Sequence, residues 1–338
     1  MEVKENYSLK AYNTFGLDVM AGWFVEVKTE AELLAVLNQP EFKDKPLLVL
    51  GGGSNVLLTK NFDGRVLKIS TKGIEKIKED DRHVWIKVAA GEVWHEVVLY
   101  CIAHNYAGIE NLSLIPGLMG AAPMQNIGAY GVELKQVFDH LEAIEIASGN
   151  KRTFSNSDCA FGYRESVFKK ALKGKYIISA VTLKLSKIPD FNVSYGAINE
   201  TLEEMGISEL SIKAISDAVI AIRSSKLPDP KDLGNSGSFF KNPEIPKTQF
   251  EHLIITNPNM PHYPLADGNI KIPAGWLIEQ CGWKGKRVGN TGSHAKQALV
   301  LVNYGNATGQ EVKQLAFDIK ASVKEQFGID IIPEVNII

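Results

Sequence analysis

The spacing of hydrophobic and polar positions along the chain predicts a mixed succession of helices and strands. Apolar residues that recur every three or four positions indicate the buried face of a helix, and short apolar runs or strict alternation indicate strands. Strand patterns cover residues 46–50, 141–147, 176–185, 297–303 and 331–338, with a hairpin across 74–89. Helical spacing covers residues 92–105, 212–223, 248–256, 273–281 and 309–327. This mixture predicts an α+β protein whose last strand pairs back with earlier ones.

Length and composition are those of an ordinary globular protein. The 338 residues accommodate two or three domains of about 100–200 residues each. The formal net charge of −2 gives no electrostatic reason to bind nucleic acid or an anionic membrane. No run approaches the ~18 apolar residues that span a bilayer, and residues 1–16 lack an apolar signal core. We therefore expect a soluble, cytoplasmic protein.

Cysteine and histidine spacing gives no sign of a metal centre. The three cysteines, Cys101, Cys159 and Cys281, are widely separated and form no CxxC pair. An odd number of isolated cysteines favours reduced thiols over disulfides or a zinc cage. The seven histidines show no ligand spacing such as HExxH, so no metal is predicted.

Residues 111–131 form the first unusual segment, because they are rich in glycine and almost free of charge. Surface loops are normally polar, whereas this segment has four glycines among small apolar residues and one amide pair, Gln125-Asn126. Glycine allows the backbone to approach a partner closely and to adopt positive φ. The pattern is typical of a binding surface for a large, flat, uncharged ligand, and equally of a tight crossing of buried elements.

The sequence GGGSN at residues 51–55 is a candidate phosphate loop between two strands. Consecutive backbone amides in a glycine-rich turn can surround an anion, and Ser54 and Asn55 add polar side chains. The loop is neither a Walker loop nor a Rossmann fingerprint, because GxxxxGK[ST] is absent and no helix follows. A tight hairpin explains it as well. Together with residues 111–131, however, it suggests a dinucleotide held at its pyrophosphate and its ring.

Three further residues are candidates for chemistry, and each has an ordinary structural alternative. Arg164 lies in FGYRES and could clamp a carboxylate through two hydrogen bonds, or pair with the adjacent Glu165. Ser238 lies in GSFFKNP, between a flexible run and two phenylalanines, where a turn serine is the usual explanation. Glu334 is the single charge in IIPEVNII, and it either functions in an apolar site or faces water at a sheet edge.

Taken together, these motifs resemble the UDP-N-acetylenolpyruvoylglucosamine reductase family, of the longer type I, almost from end to end. Any one motif could arise by chance, but their joint order and spacing is highly specific. The motifs are Asn13-Thr14-Phe15, GGGSN at 51–55, IPG at 115–117, QNIGAYG at 125–131, FGYRES at 161–166, KLPDP at 226–230, GSFFKNP at 237–243, AGWLIEQCGWKG at 274–285 and Glu334-Val335.

The resemblance implies an α+β architecture with a vanillyl-alcohol-oxidase-type (PCMH-type) FAD-binding fold in two subdomains and an α+β substrate-binding domain. The expected subdomains are residues 1–70, joined by the C-terminal strand 328–338, and residues 71–228. The substrate-binding domain is expected at 229–327. The family holds FAD noncovalently, and no histidine or cysteine stands beside GGGSN to tether the ring. The implied partners are NADPH and UDP-N-acetylglucosamine enolpyruvate, with the chain acting as a monomer.

The resemblance also assigns site residues by matching motif positions. Arg164 and Glu334 match the positions that stabilise the enolate formed on the substrate, and Ser238 matches the proton donor. Tyr163, Tyr195, Lys226, Asn242 and Gln280 are expected around the substrate. The expected FAD-binding residues are Gly51, Gly52, Gly53, Ser54, Asn55, Ile115, Pro116, Gly117, Ala121, Gln125, Asn126, Gly128, Ala129 and Tyr130.

Two departures from the family pattern stand out. Asn336 occupies a position where an arginine often follows Glu-Val, and Ala121-Ala122 provides no hydroxyl where some members carry serine.

Two other functions compete with the reductase: a related flavin oxidase and a catalytically silent nucleotide-binding protein. The absence of a covalent anchor and the serine of GSFFKNP disfavour the oxidase. The retention of Arg164, Ser238 and Glu334 together disfavours the silent protein.

Overall fold

The computed structural model describes residues 2–40 and 45–338, which fall into two compact units. Unit 1 comprises residues 1–7, 21–52 and 63–225, and unit 2 comprises residues 8–20, 53–62 and 226–338. The chain therefore passes from one unit to the other several times. In the part of the chain that the structure describes, no helix combines the length and apolarity needed to cross a bilayer. The finer division into three domains stays a prediction.

The regular elements are short strands and eight α-helices within the described residues. The strands are β1 (Val3–Ser8), β2 (Met20–Val27), β3 (Leu47–Leu50), β4 (Val56–Leu57), β5 (Phe62–Ile69), β6 (Ile74–Glu79), β7 (His83–Ala89), β8 (Gly128–Ala129), β9 (Val132–Glu133), β10 (Phe138–Glu145), β11 (Lys151–Ser155), β12 (Tyr176–Ser186), β13 (Gly234–Ser238), β14 (Glu244–Ile245), β15 (Tyr263–Pro264), β16 (Ile270–Lys271), β17 (Arg287–Val288), β18 (Thr291–Ser293), β19 (Val300–Asn303) and β20 (Asn336–Ile337). The helices are α1 (Glu30–Leu37), α2 (Trp94–Ala103), α3 (Asn156–Cys159), α4 (Gly196–Glu204), α5 (Ile212–Lys226), α6 (Lys247–Thr256), α7 (Ala274–Gln280) and α8 (Gly309–Phe327).

Unit 1 is built on a five-stranded antiparallel sheet of order β11-β10-β12-β7-β6. Val84, Ile86 and Val88 of β7 are buried in a core that also contains Val97 and Cys101 of α2. Alternation along a strand and helical spacing along α2 therefore place both apolar faces in one core. A second sheet of order β1-β2-β5-β3 contains the strand that leads into GGGSN, and in it β3 pairs with β5 in parallel.

Unit 2 contains a sheet of order β13-β19-β18-β17 and a smaller sheet of order β14-β16-β15. Helix α8 begins with a capping box, in which the Thr308 side chain accepts from the Glu311 amide and the Glu311 carboxylate accepts from the Thr308 amide. Its buried Val312, Leu315 and Ile319 recur at helical spacing and join the core of this unit. At the end of the chain β20 pairs in parallel with β4, which confirms that the terminal strand returns to an earlier one.

The predicted elements agree with these bounds at most positions. The hairpin across 74–89 is confirmed, as are the helices at 248–256, 273–281 and 309–327 to within a residue or two. Four bounds are wrong. Helix α5 continues to Lys226, and the strand expected at 297–303 begins at Val300. The strand expected at 141–147 spans Phe138–Glu145, and the terminal strand expected at 331–338 is confined to Asn336–Ile337. The proline- and glycine-rich residues 224–243 include the passage from unit 1 to unit 2 after Ser225, and they also contain strand β13.

Candidate active site

The two glycine segments predicted to act together meet in unit 1. A Cβ added at Gly52 would lie 3.1 Å from the Gly117 Cα, and one at Gly51 would lie 3.8 Å from the Leu118 side chain. Gly117 adopts φ +117°, and its carbonyl accepts from the Trp94 amide at 3.0 Å. A larger residue at position 52 would separate the two backbones. The tight-crossing interpretation therefore accounts for part of the glycine pattern, while the two segments also lie side by side as a dinucleotide site requires.

The rest of the GGGSN loop, residues 53–55, belongs to unit 2 and is hydrogen-bonded to other residues of that unit. Gly53 adopts φ +64°, and its carbonyl accepts from the Thr14 amide at 3.1 Å. The Asn55 carbonyl accepts from the Asn336 side chain at 2.9 Å and from the Asn336 amide at 3.1 Å. Asn336, the departure from the family pattern, thus fixes the end of the loop. Among the described residues, no backbone acceptor takes the amides of Gly52, Gly53 or Ser54.

Replacing Gly53 by alanine is expected to destabilise unit 2 more than replacing Gly237 by alanine. Both glycines have φ near +65°, so both replacements incur the ~1–2 kcal/mol strain of the left-handed region. Only at Gly53 would the new Cβ meet backbone, 2.0 Å from the Tyr12 carbonyl oxygen, whereas Gly237 has open space. Urea unfolding should show the larger loss for Gly53→Ala. Equal losses would mean that the Tyr12 contact relaxes without cost.

Non-glycine residues with left-handed backbone concentrate around the second glycine segment. Leu114, Asn126, Tyr130, Ala160 and Arg164 all have φ between +44° and +58°. Such conformations are costly for residues with a Cβ and persist where surrounding contacts impose them, often at functional sites. The contacts are visible here: Nδ1 of His95, whose pKa is lowered by burial, accepts from the Leu114 amide at 3.0 Å. Contacts with residues outside the segment, such as His95, therefore hold it in one conformation.

Arg164 lies at the tip of a small hairpin that is joined to this segment. Gly162 and Glu165 exchange backbone hydrogen bonds of 3.1 and 3.3 Å across the tip. The Asn126 side chain donates to the Gly162 carbonyl at 3.1 Å. The Arg164 Nη2 donates to the Gly128 carbonyl at 2.6 Å, and its guanidinium lies 5.7 Å from the Tyr163 ring centroid. The hydrogen bond orients one end of the guanidinium, whose planar group carries five N–H donors in all.

Tyr130 and Tyr195 form an edge-to-face aromatic pair beside the same segment. Their ring centroids are 5.3 Å apart with planes at 86°, a favourable geometry for aromatic rings. The Asn111 side chain donates to the Tyr130 carbonyl at 3.1 Å and to the Asn192 carbonyl at 2.8 Å, and so connects the two loops. Burial raises the pKa of the Tyr130 hydroxyl. The exposed Tyr195 is thus connected to the predicted cofactor-binding segment.

Ser238 and Glu334 lie on adjacent extended segments of unit 2. The Glu334 amide donates to the Phe239 carbonyl at 2.8 Å, and Phe240 forms an antiparallel bridge with Pro333. Phe239 and Phe240 are fully buried, whereas Ser238 is exposed at the end of β13. Two buried phenylalanines thus fix the strand, and the hydroxyl of Ser238 remains accessible. The structure therefore brings together two of the three predicted catalytic residues, and Arg164 belongs to unit 1.

The remaining predicted substrate residues occupy helix ends. The Asn242 Oδ1 accepts from the Ala274 amide at 2.9 Å, which satisfies a first-turn amide of α7 and leaves the Nδ2 group to donate elsewhere. Gln280 is the last residue of the same helix and Lys226 is the last residue of α5, and both are exposed. Their roles stay predictions.

Sequence reasoning missed residues that position others. Asn111, His95 and Asn336 hold backbone groups of the candidate site, and the half-buried Arg223 lies near Arg164. Only Asn336 carried a signal, as a departure from the family motif. Asn111 begins the glycine-rich segment 111–131 but was assigned no role there, and His95 and Arg223 lie on helices without any motif. The partners of these three residues therefore emerge only from the folded chain.

Comparisons with known proteins first define the class. Residues 22–154 match the family described as FAD binding domain, and residues 229–338 match the C-terminal domain of UDP-N-acetylenolpyruvoylglucosamine reductase. The chain is similar over its full length to solved MurB from Thermus caldophilus, with a TM-score of 0.70, 24% identity and coverage of 100% of this chain and 99% of that one. This likeness concerns the fold. The α+β class and the vanillyl-alcohol-oxidase-type FAD-binding fold are thereby confirmed.

Relatives then define the family. The chain is 54% identical over 338 residues to UDP-N-acetylenolpyruvoylglucosamine reductase of Amoebophilus asiaticus, covering 100% of both chains. It is 52% identical over 339 residues to the protein of that name in Flavobacterium johnsoniae, again covering 100% of both. The chain belongs to the UDP-N-acetylenolpyruvoylglucosamine reductase family, as the motifs predicted.

Proposed function

We propose that the chain reduces the enolpyruvyl ether of UDP-N-acetylglucosamine enolpyruvate to UDP-N-acetylmuramate, with NADPH as the hydride donor and FAD as the noncovalent cofactor. This is a cytoplasmic step in the synthesis of peptidoglycan precursors. Full-length relatedness supports the class of reaction. The observation that carries the proposal is the placement of Ser238 beside Glu334 on adjacent segments, with the hydroxyl accessible and the supporting phenylalanines buried.

The residues present fit FAD. Three successive amides of the GGGSN loop, from Gly52 to Ser54, have no backbone acceptor among the described residues and can surround a diphosphate. Gly52 lies so close to Gly117 that a side chain there would push the two segments apart. When bound, FAD would supply the two-electron chemistry that connects NADPH oxidation to reduction of the substrate.

The chain's own residues then have distinct tasks. Hydride addition to the methylene carbon places negative charge on the adjacent carbon and its carboxylate, and Arg164 is suited to hold that charge by charge-assisted hydrogen bonds. Ser238 donates the proton that this carbon requires, and Glu334 lies on the next segment beside it. Lys226 and the Nδ2 group of Asn242 bind polar groups of the nucleotide-sugar, and Tyr195 closes over it.

Anaerobic half-reactions test the proposal directly. Purified protein is expected to show flavin absorbance, NADPH is expected to bleach it, and UDP-N-acetylglucosamine enolpyruvate is expected to restore it without oxygen. UDP-N-acetylglucosamine, which lacks the enolpyruvyl group, serves as the control and should restore nothing. Absence of flavin would exclude any flavoenzyme. Flavin that is reduced by NADPH but reoxidised only by oxygen would identify an oxidase instead.

A further inference from the structure

The first turn of helix α2 holds the beginning of the glycine-rich segment through side chains and backbone. The Trp94 indole donates to the Leu112 carbonyl at 2.9 Å, and the Trp94 amide donates to the Gly117 carbonyl at 3.0 Å. Between these two bonds, the Leu114 amide donates to Nδ1 of the half-buried His95 at 3.0 Å. The three residues after Leu114 are expected to bind FAD, whereas the imidazole has no task in the proposed mechanism.

Leu114 depends on this hydrogen bond because its backbone is strained. Its φ of +58° lies in the left-handed region, which residues with a Cβ avoid unless surrounding contacts impose it. On the preceding residue, the Ser113 hydroxyl shares a hydrogen bond of 2.8 Å with the Ser216 hydroxyl. His95 acts on the strained residue itself. Without that acceptor, Leu114 would relax toward ordinary backbone angles and displace the residues that follow it.

The same hydrogen bond defines the protonation state of His95. Its Nδ1 atom accepts from an amide only while it carries no proton, so the ring is neutral and its proton is on Nε2. A proton on Nδ1 would turn two N–H groups toward each other. The charged groups that act on the ring are the Glu96 carboxylate, next to it on α2, and the Arg223 guanidinium of α5. Burial lowers the pKa of the imidazole, Glu96 opposes this, and Arg223 adds to it.

We propose that His95 is a positioning residue for the flavin: its unprotonated Nδ1 holds Leu114 in the left-handed conformation, and that conformation presents residues 115–117 to FAD. The proposal rests on FAD being the cofactor, as the proposed function requires. Protonation of His95 then opposes flavin binding, because FAD selects the hydrogen-bonded conformation. By linkage, bound FAD must lower the pKa of His95 below its value in the flavin-free protein. Flavin affinity is therefore full above the ordinary imidazole pKa of 6.5 and falls as the pH drops below it.

Two variants of His95 separate its hydrogen bond from its titration. His95→Leu keeps apolar bulk and removes the acceptor, whereas His95→Asn offers an amide oxygen near the position of Nδ1 and does not titrate. His104→Leu is the matched control, because His104 lies at the far end of the same helix, where its exposed imidazole is hydrogen-bonded to the Tyr100 carbonyl at 2.8 Å. Flavin-free protein is titrated with FAD between about pH 5 and about pH 8, across the usual range of imidazole titration. Quenching of flavin fluorescence gives the dissociation constant.

His95→Leu is expected to weaken FAD at least about fivefold at neutral pH, the usual consequence of leaving a partly buried amide without its acceptor. His95→Asn should bind FAD nearly as well as the wild-type protein at neutral pH and should lose much less affinity below pH 6.5. His104→Leu should reproduce the wild-type affinity and pH profile. In the wild-type protein, the imidazole resonances of His95 should titrate at lower pH when FAD is bound.

The proposal is overturned if the wild-type protein binds FAD and His95→Leu binds it equally well. It is overturned too if His95→Asn shows the wild-type pH profile, a comparison that still decides the matter should His95→Leu fail to fold. Adding Leu114→Asn to His95→Leu should recover part of the lost affinity, because asparagine tolerates the left-handed region better than leucine; no recovery would contradict the route through Leu114. Wild-type protein that binds no flavin would refute the proposed function as well.

Discussion

Replacing Ser238 by alanine is expected to leave the reduction of flavin by NADPH nearly intact and to slow its reoxidation by the enolpyruvyl substrate by about 10²–10⁴-fold. The asymmetry follows from the chemistry, because only the second half-reaction requires a proton at the carbanionic carbon. Serine is a weak acid in water. A dry site and a strongly basic acceptor make it adequate, and the neighbouring Phe239 and Phe240 provide an apolar wall. Stopped-flow absorbance under anaerobic conditions measures the two half-reactions separately.

Ser236 provides a matched control for this experiment. It lies two residues earlier on the same strand, and its hydroxyl is buried without a hydrogen-bond partner. Ser236→Ala should therefore preserve both half-reactions and should not lower stability, since no hydrogen bond is lost. If Ser238→Ala slows both half-reactions equally, Ser238 maintains the site and does not donate the proton. If Ser236→Ala shows the same loss, the effect comes from a disturbed strand β13 and not from the loss of the Ser238 hydroxyl.

Long, strongly periodic elements of this fold could be predicted from the sequence. The apolar face of α8 recurs over five turns and is bounded by a capping box at Thr308 and by Gly328, which adopts φ +67° at its end. Helix α1 was missed although it has the same capping box, because its eight residues contain a weaker apolar pattern. Strand β13 was missed because glycine and serine have low strand propensity, and its pairing with β19 overrides that preference.

The residues of the candidate site that lie within motifs could be predicted from the sequence. The contacts that hold those motifs together could not. GGGSN and residues 111–131 are unusual in composition, so their association could be inferred before their contact was known. Local spacing cannot show that the Asn336 side chain reaches Asn55, 281 residues earlier. The half-buried Arg223 has the same limitation, since an isolated arginine on an amphipathic helix normally indicates a solvated face. The burial of its Nε atom depends on tertiary contacts that no local pattern encodes.

Replacing Arg164 by methionine is expected to reduce the rate of flavin reoxidation by about 10²–10³-fold, the usual loss when one group that stabilises a developing oxyanion is removed. NADPH-driven reduction should change little. The variant also loses the hydrogen bond to the Gly128 carbonyl, so retention of flavin is checked first by the absorbance of the purified protein. A fall in the rate constant at saturating substrate, with unchanged affinity for UDP-N-acetylmuramate, would mean that Arg164 acts mainly on the enolate.

The control for Arg164 is Arg152→Met in the same unit. Arg152 lies on an exposed position of β11, with its guanidinium 4.4 Å from the Phe154 ring centroid, and its loss should leave both half-reactions unchanged. Arg164→Lys separates charge from geometry, because lysine keeps the positive charge and lacks the planar fork that can hold Gly128 and a carboxylate together. Recovery of the full rate by lysine would show that charge alone is required. Loss in the lysine variant comparable to that in methionine would show that the orientation imposed by the Gly128 carbonyl is what catalysis uses.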